Sequence, residues 1–418
     1  MASLGRPPSS APLNSADIPD NSITASKIVD GAVGVADIAD DSITGAKIEN
    51  NPTISGNLTV AGDLIPSSQL SHRNMIINGD MRINQRGSGS LTINSGTVQY
   101  PCDRFSARGV SSAGVFTLES VTDSPAGFTN SLKATVTTDD SSLSGTESYR
   151  VMQHIEGNNI SHLNWGSSDN QAVALSFKVK SSLAGTFGGV VQNGDYNRFV
   201  PFTYTIDSAN TWEDKTVTIA GDTSGTYPTD ESLAVRLNWS LGAAELGTAG
   251  TYTATTKNGA TGQTQVISTL NATWQVTGVQ LELGSNATPF EHRSYGDELA
   301  KCQRYFWSVG GVPSPEGSSN YYEHVCVAYM QSTTAAYGVV PHPVFMRAPP
   351  TVAILNPTGF YFNNNEANTA LSGGGVINNG KYNTAISFTT SATRNTQTSG
   401  RVLALGSAAS IIQFSSEL

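Results

Sequence analysis

From Asp17 to Ile48 the chain sets an isoleucine or valine at every fifth residue: Ile18, Ile23, Ile28, Val33, Ile38, Ile43 and Ile48. Around this row a twenty-residue unit recurs, Asp17-Ile-Pro-Asp-Asn-Ser-Ile-Thr and then Asp37-Ile-Ala-Asp-Asp-Ser-Ile-Thr, the copies closing on Lys27-Ile28 and Lys47-Ile48. A step of five matches neither the 3.6-residue period of a helix nor the 2.0 of a strand. One chain alone would leave the row in water. Several copies wound about one axis would instead stack each apolar residue in a layer with its counterparts. Collagen meets the same need with glycine at every third position, and that pattern is absent. Residues 17–50 are therefore expected to form the shaft of a homotrimer, with these seven side chains as its core. A low-complexity linker is the alternative, but a linker needs no registered apolar step.

A chain of 418 residues is long enough for two or three domains, and 38% hydrophobic residues can fill their cores. Charged residues are only 13%, about half the usual ~25%. Ser, Thr, Asn and 41 glycines make up much of the rest, which suits short strands and many turns rather than helices. The net charge of −10 would make a trimer roughly −30. Nucleic acid and membrane insertion are not expected, because phosphate binding needs a basic face and no apolar run approaches ~20 residues. Cys102, Cys302 and Cys326 have no CxxC spacing and read as free buried thiols made in a reducing compartment. The first residues lack the apolar stretch of a signal peptide.

Residues 1–16, with Pro7, Pro8 and Pro12, are expected to be extended and to attach the chain to something else. Residues 51–72 read as a β neck, with Leu58-Thr59-Val60 between Gly56-Asn57 and Gly62-Asp63 turns. Residues 73–293 read as an antiparallel sandwich or jelly roll. Met75, Ile77, Met81 and Ile83 alternate with Ile76, Asn78, Asp80 and Arg82. Val173, Leu175, Phe177 and Val179 alternate with small or charged residues, as do Leu233, Val235, Leu237 and Trp239. Trp274 and Val276 share one parity and Val279, Leu281 and Leu283 the other, so Gly278 is expected at a β-bulge. Ser294 and Asp297 have capping-box spacing before Leu299, Cys302 and Phe306, which predicts a linking helix over 294–306. Residues 307–418 are again β-like and predict a second sandwich, with Gly373-Gly374-Gly375 opening a loop.

Three stretches resemble parts of tailed-bacteriophage tail fibres. Asn74-Met-Ile-Ile-Asn-Gly-Asp-Met-Arg-Ile-Asn-Gln-Arg-Gly87 resembles the opening of their β domain. Its close is resembled by Trp274-Gln-Val-Thr-Gly-Val-Gln-Leu-Glu-Leu-Gly284 followed by Thr288-Pro-Phe-Glu-His-Arg-Ser-Tyr-Gly-Asp-Glu-Leu-Ala-Lys-Cys-Gln-Arg-Tyr305. Pro343-Val-Phe-Met-Arg-Ala-Pro-Pro-Thr351 is similar to a segment of their C-terminal domain. The resemblance implies a trimeric fibre held to the virion by its N-terminus, at a baseplate or tail protein, and meeting the host surface with its C-terminal end. Phe105 stands where the pattern often has Trp, and His342 where an aromatic often precedes Pro-Val. Such a protein would be assembled in the host cytoplasm and end in the phage tail. The opening and closing stretches are also similar to carbohydrate-binding jelly rolls, some of which hold a structural calcium where first and last strands pair. Asp80 and Glu282 are the candidates for it, against the plainer reading of solvated strand-edge carboxylates.

No GxSxG, HExxH, P-loop or dinucleotide fingerprint is present. His324 and Cys326 fall on one strand face, but two groups do not make a metal site. Asp230-Glu231 falls in a turn, and Asp297-Glu298 serves the helix start. An enzyme is therefore not expected, nor any cofactor. Binding is expected instead, because sugar rings have apolar faces that pack on exposed aromatics while amides and hydroxyls meet their hydroxyls. The candidate receptor residues are Tyr321, Tyr322, Tyr361, Asn363, Asn364 and Tyr382, with Phe360 and Phe362 assigned to the core. A purely structural spacer and a polysaccharide depolymerase are the other functions this sequence allows.

Overall fold

Buried aromatic rings account for the position of the first two sheets. Trp239 and Trp274, both fully buried, lie 6.2 Å apart at the centre of a core that includes Phe105, Phe116, Tyr149 and Phe177. The computed structural model describes Ile28 and residues 71–418, except 88, 95, 112, 311–321, 365–367 and 406–409. Of the seven shaft positions only Ile28 is thus described, and it is exposed in the single chain. The other six, the attachment segment 1–16, the neck as far as residue 70, and Tyr321 lie outside the described residues.

The protein is nearly all β. One sheet has six strands in the order Leu91–Ile93, Val115–Val121, Ser131–Thr138, Thr273–Leu283, Val173–Ser181 and Glu213–Ile219. The facing sheet has five, Phe105–Val110, Ser148–Glu156, Leu233–Ala243, Gly185–Asn193 and Phe199–Ile206. All these pairings are antiparallel, as in a sandwich. The expected alternation holds: Val173, Leu175, Phe177 and Val179 face the core and Ser176, Lys178 and Lys180 do not. Gly278 has φ +61°, and the pairing of its strand with Val173–Ser181 shifts register between Thr277 and Gln280. The bulge turns Val279 and Leu281 inward after Trp274 and Val276.

The opening stretch corrects the sequence reading. Residues 75–81 are all buried but form no strand, because Asn78 and Met81 adopt left-handed backbone at φ 61° and 59°. Asn78 is held there by its own amide, which donates to Ile83 O at 2.9 Å and Asp103 O at 2.8 Å and accepts from Ile83 N at 2.9 Å. A Cβ on Gly79 would lie 2.2 Å from Val279 O, so only glycine fits against the closing strand.

The helix spans Tyr295–Gln303, with the Ser294 hydroxyl accepting from Asp297 N at 3.2 Å. It ends before Phe306, which begins the strand Phe306–Gly310 instead of closing the helix. Cys302 and Tyr305 pack with Ile77 and Ile83 in a cluster of their own, joined by Leu418. Arg104, buried, lies 3.5 Å from the Tyr305 ring, donates to His154 O at 2.6 Å and pairs with Glu417. Arg86 also reaches Glu417, at 2.9 Å, and Arg347 donates to Ser416 O at 2.6 Å. The helix and the last residues are therefore packed into the joint between sandwich and C-terminal region. Among the described residues no helix is long and apolar enough to cross a membrane.

Residues 307–418 do not form the expected second sandwich. Six strands close into a barrel, in the order Tyr322–Met330, Ala335–Pro341, Asn383–Thr390, Asn368–Asn379, Phe360–Asn363 and Ser399–Leu405. A three-stranded sheet of Phe306–Gly310, Ile411–Ser415 and Thr351–Leu355 contributes Trp307, Ile412 and Phe414 to the same core. Phe360 and Phe362 are fully buried there, as expected. Gly373-Gly374-Gly375 lies inside a strand rather than a loop; a Cβ on Gly374 would come 2.9 Å from Ile354. His342 takes up an aromatic's role, its ring 5.5 Å from Trp307 and 5.1 Å from Phe414 while it accepts from the Trp307 indole N–H at 3.1 Å.

Candidate functional site

The outer face of the six-stranded sheet carries a groove of about 610 Å³. Its floor comes from alternation: Ser176 and Lys178 point outward from Val173–Ser181, and Asp214 and Thr216 from Glu213–Ile219, an edge strand. One wall is Phe128, whose ring lies over the bulge, since a Cβ on Gly278 would come 2.8 Å from its Cζ. The other is the segment after the closing strand, with Thr288, Pro289, Phe290 and His292.

Alternation also explains that segment. Phe290 and His292 face the groove, whereas Glu291 and Arg293 turn to the opening stretch. Glu291 accepts from Arg73 N at 3.2 Å and Asn74 N at 3.0 Å. Arg293 donates to Ile76 O at 3.0 Å and pairs with Glu298 at 3.1 Å. These contacts hold the segment from behind, and hydrogen bonding keeps the Glu291 carboxyl below its usual range despite partial burial, which acts the other way. On the groove side Phe128, Phe290 and His292 meet mutually, with centroids 5.2, 5.3 and 4.9 Å apart. Lys178 lies 5.9 Å from the Phe128 ring and 2.5 Å from the Asp214 carboxylate. Three rings beside an accessible ion pair and a threonine hydroxyl combine apolar surface with a few donors and acceptors, the mixture that receives a sugar ring.

In the sequence Phe290 and His292 stand within the Thr288–Tyr305 stretch with no binding role assigned to them, and nothing marks Phe128. The alternating Phe-Glu-His-Arg pattern was the available signal for the first two. Nothing near Phe128 in sequence reveals that a bulge about 150 residues later comes beneath its ring.

The residues singled out from sequence are dispersed. Tyr322 opens a barrel strand opposite Leu405, and Tyr361 pairs with Ala370 and Leu403, half-buried on the face opposite Phe360 and Phe362. Asn363 donates to the Asn368 side chain at 2.6 Å and accepts from Arg401 at 3.2 Å, with Asn364 next to it. Tyr382 is 69% exposed, its ring 4.6 Å from that of Phe345. Asn363 and Asn364 precede the strand Asn368–Asn379 and Tyr382 follows it, so they sit at opposite ends of a barrel strand roughly 35–40 Å long. Tyr382 adjoins the sandwich, where Lys381 pairs with Glu231 at 2.6 Å.

Asp80 and Glu282 are not solvated edge carboxylates but buried. Asp80 pairs with Arg82 at 3.1 Å, and burial raises its pKa. Glu282 accepts from Thr288 N and Oγ1, both at 2.7 Å, and from Gln280 at 2.9 Å. Both its oxygens are thus occupied in bracing the groove segment. Among the described residues no cluster of three or more His, Cys, Asp or Glu could hold a metal ion. Cys102 and Cys302 are buried free thiols and Cys326 is half-buried.

No family model matches the chain, and no curated protein matches it. Similar solved structures include the enzymatically active domain of tailspike protein 4 of bacteriophage CBA120, at 13% identity and TM-score 0.26, over 50% of this chain and 21% of that one. The chain thus spans about a fifth of that tailspike chain. They also include TmCBM61, solved with β-1,4-galactotriose, at 10% identity and TM-score 0.26, over 50% of this chain and 99% of that one. A family 11 carbohydrate-binding module of Clostridium thermocellum, solved with a mixed-linked tetrasaccharide, matches at 12% identity and TM-score 0.25 over 49% of this chain and 99% of that one. Likeness at this level carries no statement about what this chain binds.

Proposed function

We propose that this chain is a bacteriophage tail fibre, a homotrimeric virion protein that recognises a glycan of the host surface and binds it without cleaving it. The observation that carries the binding role is the groove of Phe128, Phe290 and His292 beside Lys178 and Asp214. The five-residue apolar step and the three stretches that resemble tail fibres support the fibre and the several copies. Copies on one shaft would multiply weak sites through effective concentration. A second reading places the receptor contact on the exposed Tyr382–Phe345 pair of the barrel.

Competition for adsorption tests the role. Full-length protein added to susceptible cells is expected to lower phage adsorption in a dose-dependent manner and to release no reducing ends from the extracted polysaccharide. Unchanged adsorption at saturating protein contradicts the receptor role. Released reducing ends replace it with depolymerase activity.

A further inference from the structure

Two neighbouring barrel strands turn apolar side chains outward. From Tyr322–Met330 these are Val327, 73% exposed, and Tyr329; from Ala335–Pro341 they are Tyr337 and Val339, 52% exposed. Ile377, 48% exposed, joins them from a third strand, and together they line a groove of about 650 Å³ without one charged residue. The stripe has borders. Beyond Ala385, which belongs to the groove, the next outward positions of its strand are polar, Ser387 and Thr389, and Arg401 borders the stripe on the other side. An apolar surface of this kind with polar margins marks a protein contact. Sugar hydroxyls would find few partners on it, and a closed barrel offers no strand edge for a peptide to extend.

We propose that this stripe is the seam on which the barrels of separate copies of this chain meet. The occupant is argued from the same chain: on the several-copy reading, the row Ile18 to Ile48 is buried against its own counterparts, which brings copies of the chain about one axis. Each copy carries −10, and an uncharged stripe lets two such chains touch without bringing like charges together. The seam rests on the several-copy reading of the shaft but is a separate claim, because the shaft could associate while the barrels remain apart.

Thiol labelling of the full-length protein tests it. Cys102 and Cys302 are buried, so in a Cys326→Ala background Val339→Cys adds one reporter on the stripe. Leu270→Cys, at a position 51% exposed on the sandwich, is the control, since the two sites have nearly equal exposure in the single chain. The expected result is a multimeric mass by light scattering, with Val339→Cys labelled by maleimide at least tenfold more slowly than Leu270→Cys. A multimeric mass with equal rates overturns the seam and leaves the several-copy reading standing. A single-chain mass with equal rates overturns both. Slow labelling at single-chain mass also overturns the seam, since the cover then belongs to the same chain.

Discussion

His154 shows how much one buried side chain depends on its surroundings. It lies on the five-stranded sheet with Nδ1 donating to Leu418 O at 2.8 Å. Burial, aided by the charges of Arg236 and Arg104, pushes its pKa down to about 3. Unfolded histidine titrates near 6.5. As the pH falls below 6.5 the unfolded chain takes up a proton that the folded chain refuses until about pH 3, so stability is lost across that window. The effect amounts to about 2 kcal/mol by pH 5. Denaturant unfolding at pH 7 and pH 5 is expected to show that much more loss in the wild type than in His154→Gln. Equal losses would remove the assignment. Single residues such as this were hardly legible in the sequence: His154 sits in a Ser/Asn-rich stretch and reads as a surface residue, because its partners come from residues 104, 236 and 418. Phe128 was missed for the same reason.

At the scale of elements the sequence was more informative, because alternation and capping act between near neighbours. The strand Val173–Ser181, the bulge at Gly278 and the Ser294 cap all follow from spacing alone. The opening stretch misled because Asn78 and Met81 interrupt an apparently alternating run with left-handed backbone, and polar side chains rather than strand pairing hold it. The triple glycine misled because it reads as a loop, whereas Gly374 lets its strand pass close to Ile354. The bulge joins fold to site. Gly278→Ala places a Cβ at positive φ and against Phe128, costing about 1–2 kcal/mol. Its thermal unfolding is expected several degrees lower, together with weaker polysaccharide binding as the ring is displaced. Lower stability with unchanged binding would separate Phe128 from the site.

At the scale of the whole molecule, the composition signalled β structure, but sequence did not show that the C-terminal strands close into a barrel. Closure depends on which strands pair across tens of residues, such as Tyr322–Met330 with Ser399–Leu405. Nor did it show that the groove of Phe128, Phe290 and His292 lies on the sandwich while the exposed Tyr382 lies on the barrel. The two surfaces make different predictions about the same ligand. The most direct test is the affinity of full-length protein for polysaccharide extracted from the susceptible host, measured for the wild type, Phe128→Ala with Phe290→Ala, and Tyr382→Ala. Losing two sugar-packing rings is expected to weaken binding by about tenfold or more, with Tyr382→Ala within about twofold of wild type and all three proteins equally folded by circular dichroism. Binding unchanged by loss of the two phenylalanines, or abolished by loss of Tyr382 alone, would contradict the groove as the sugar site.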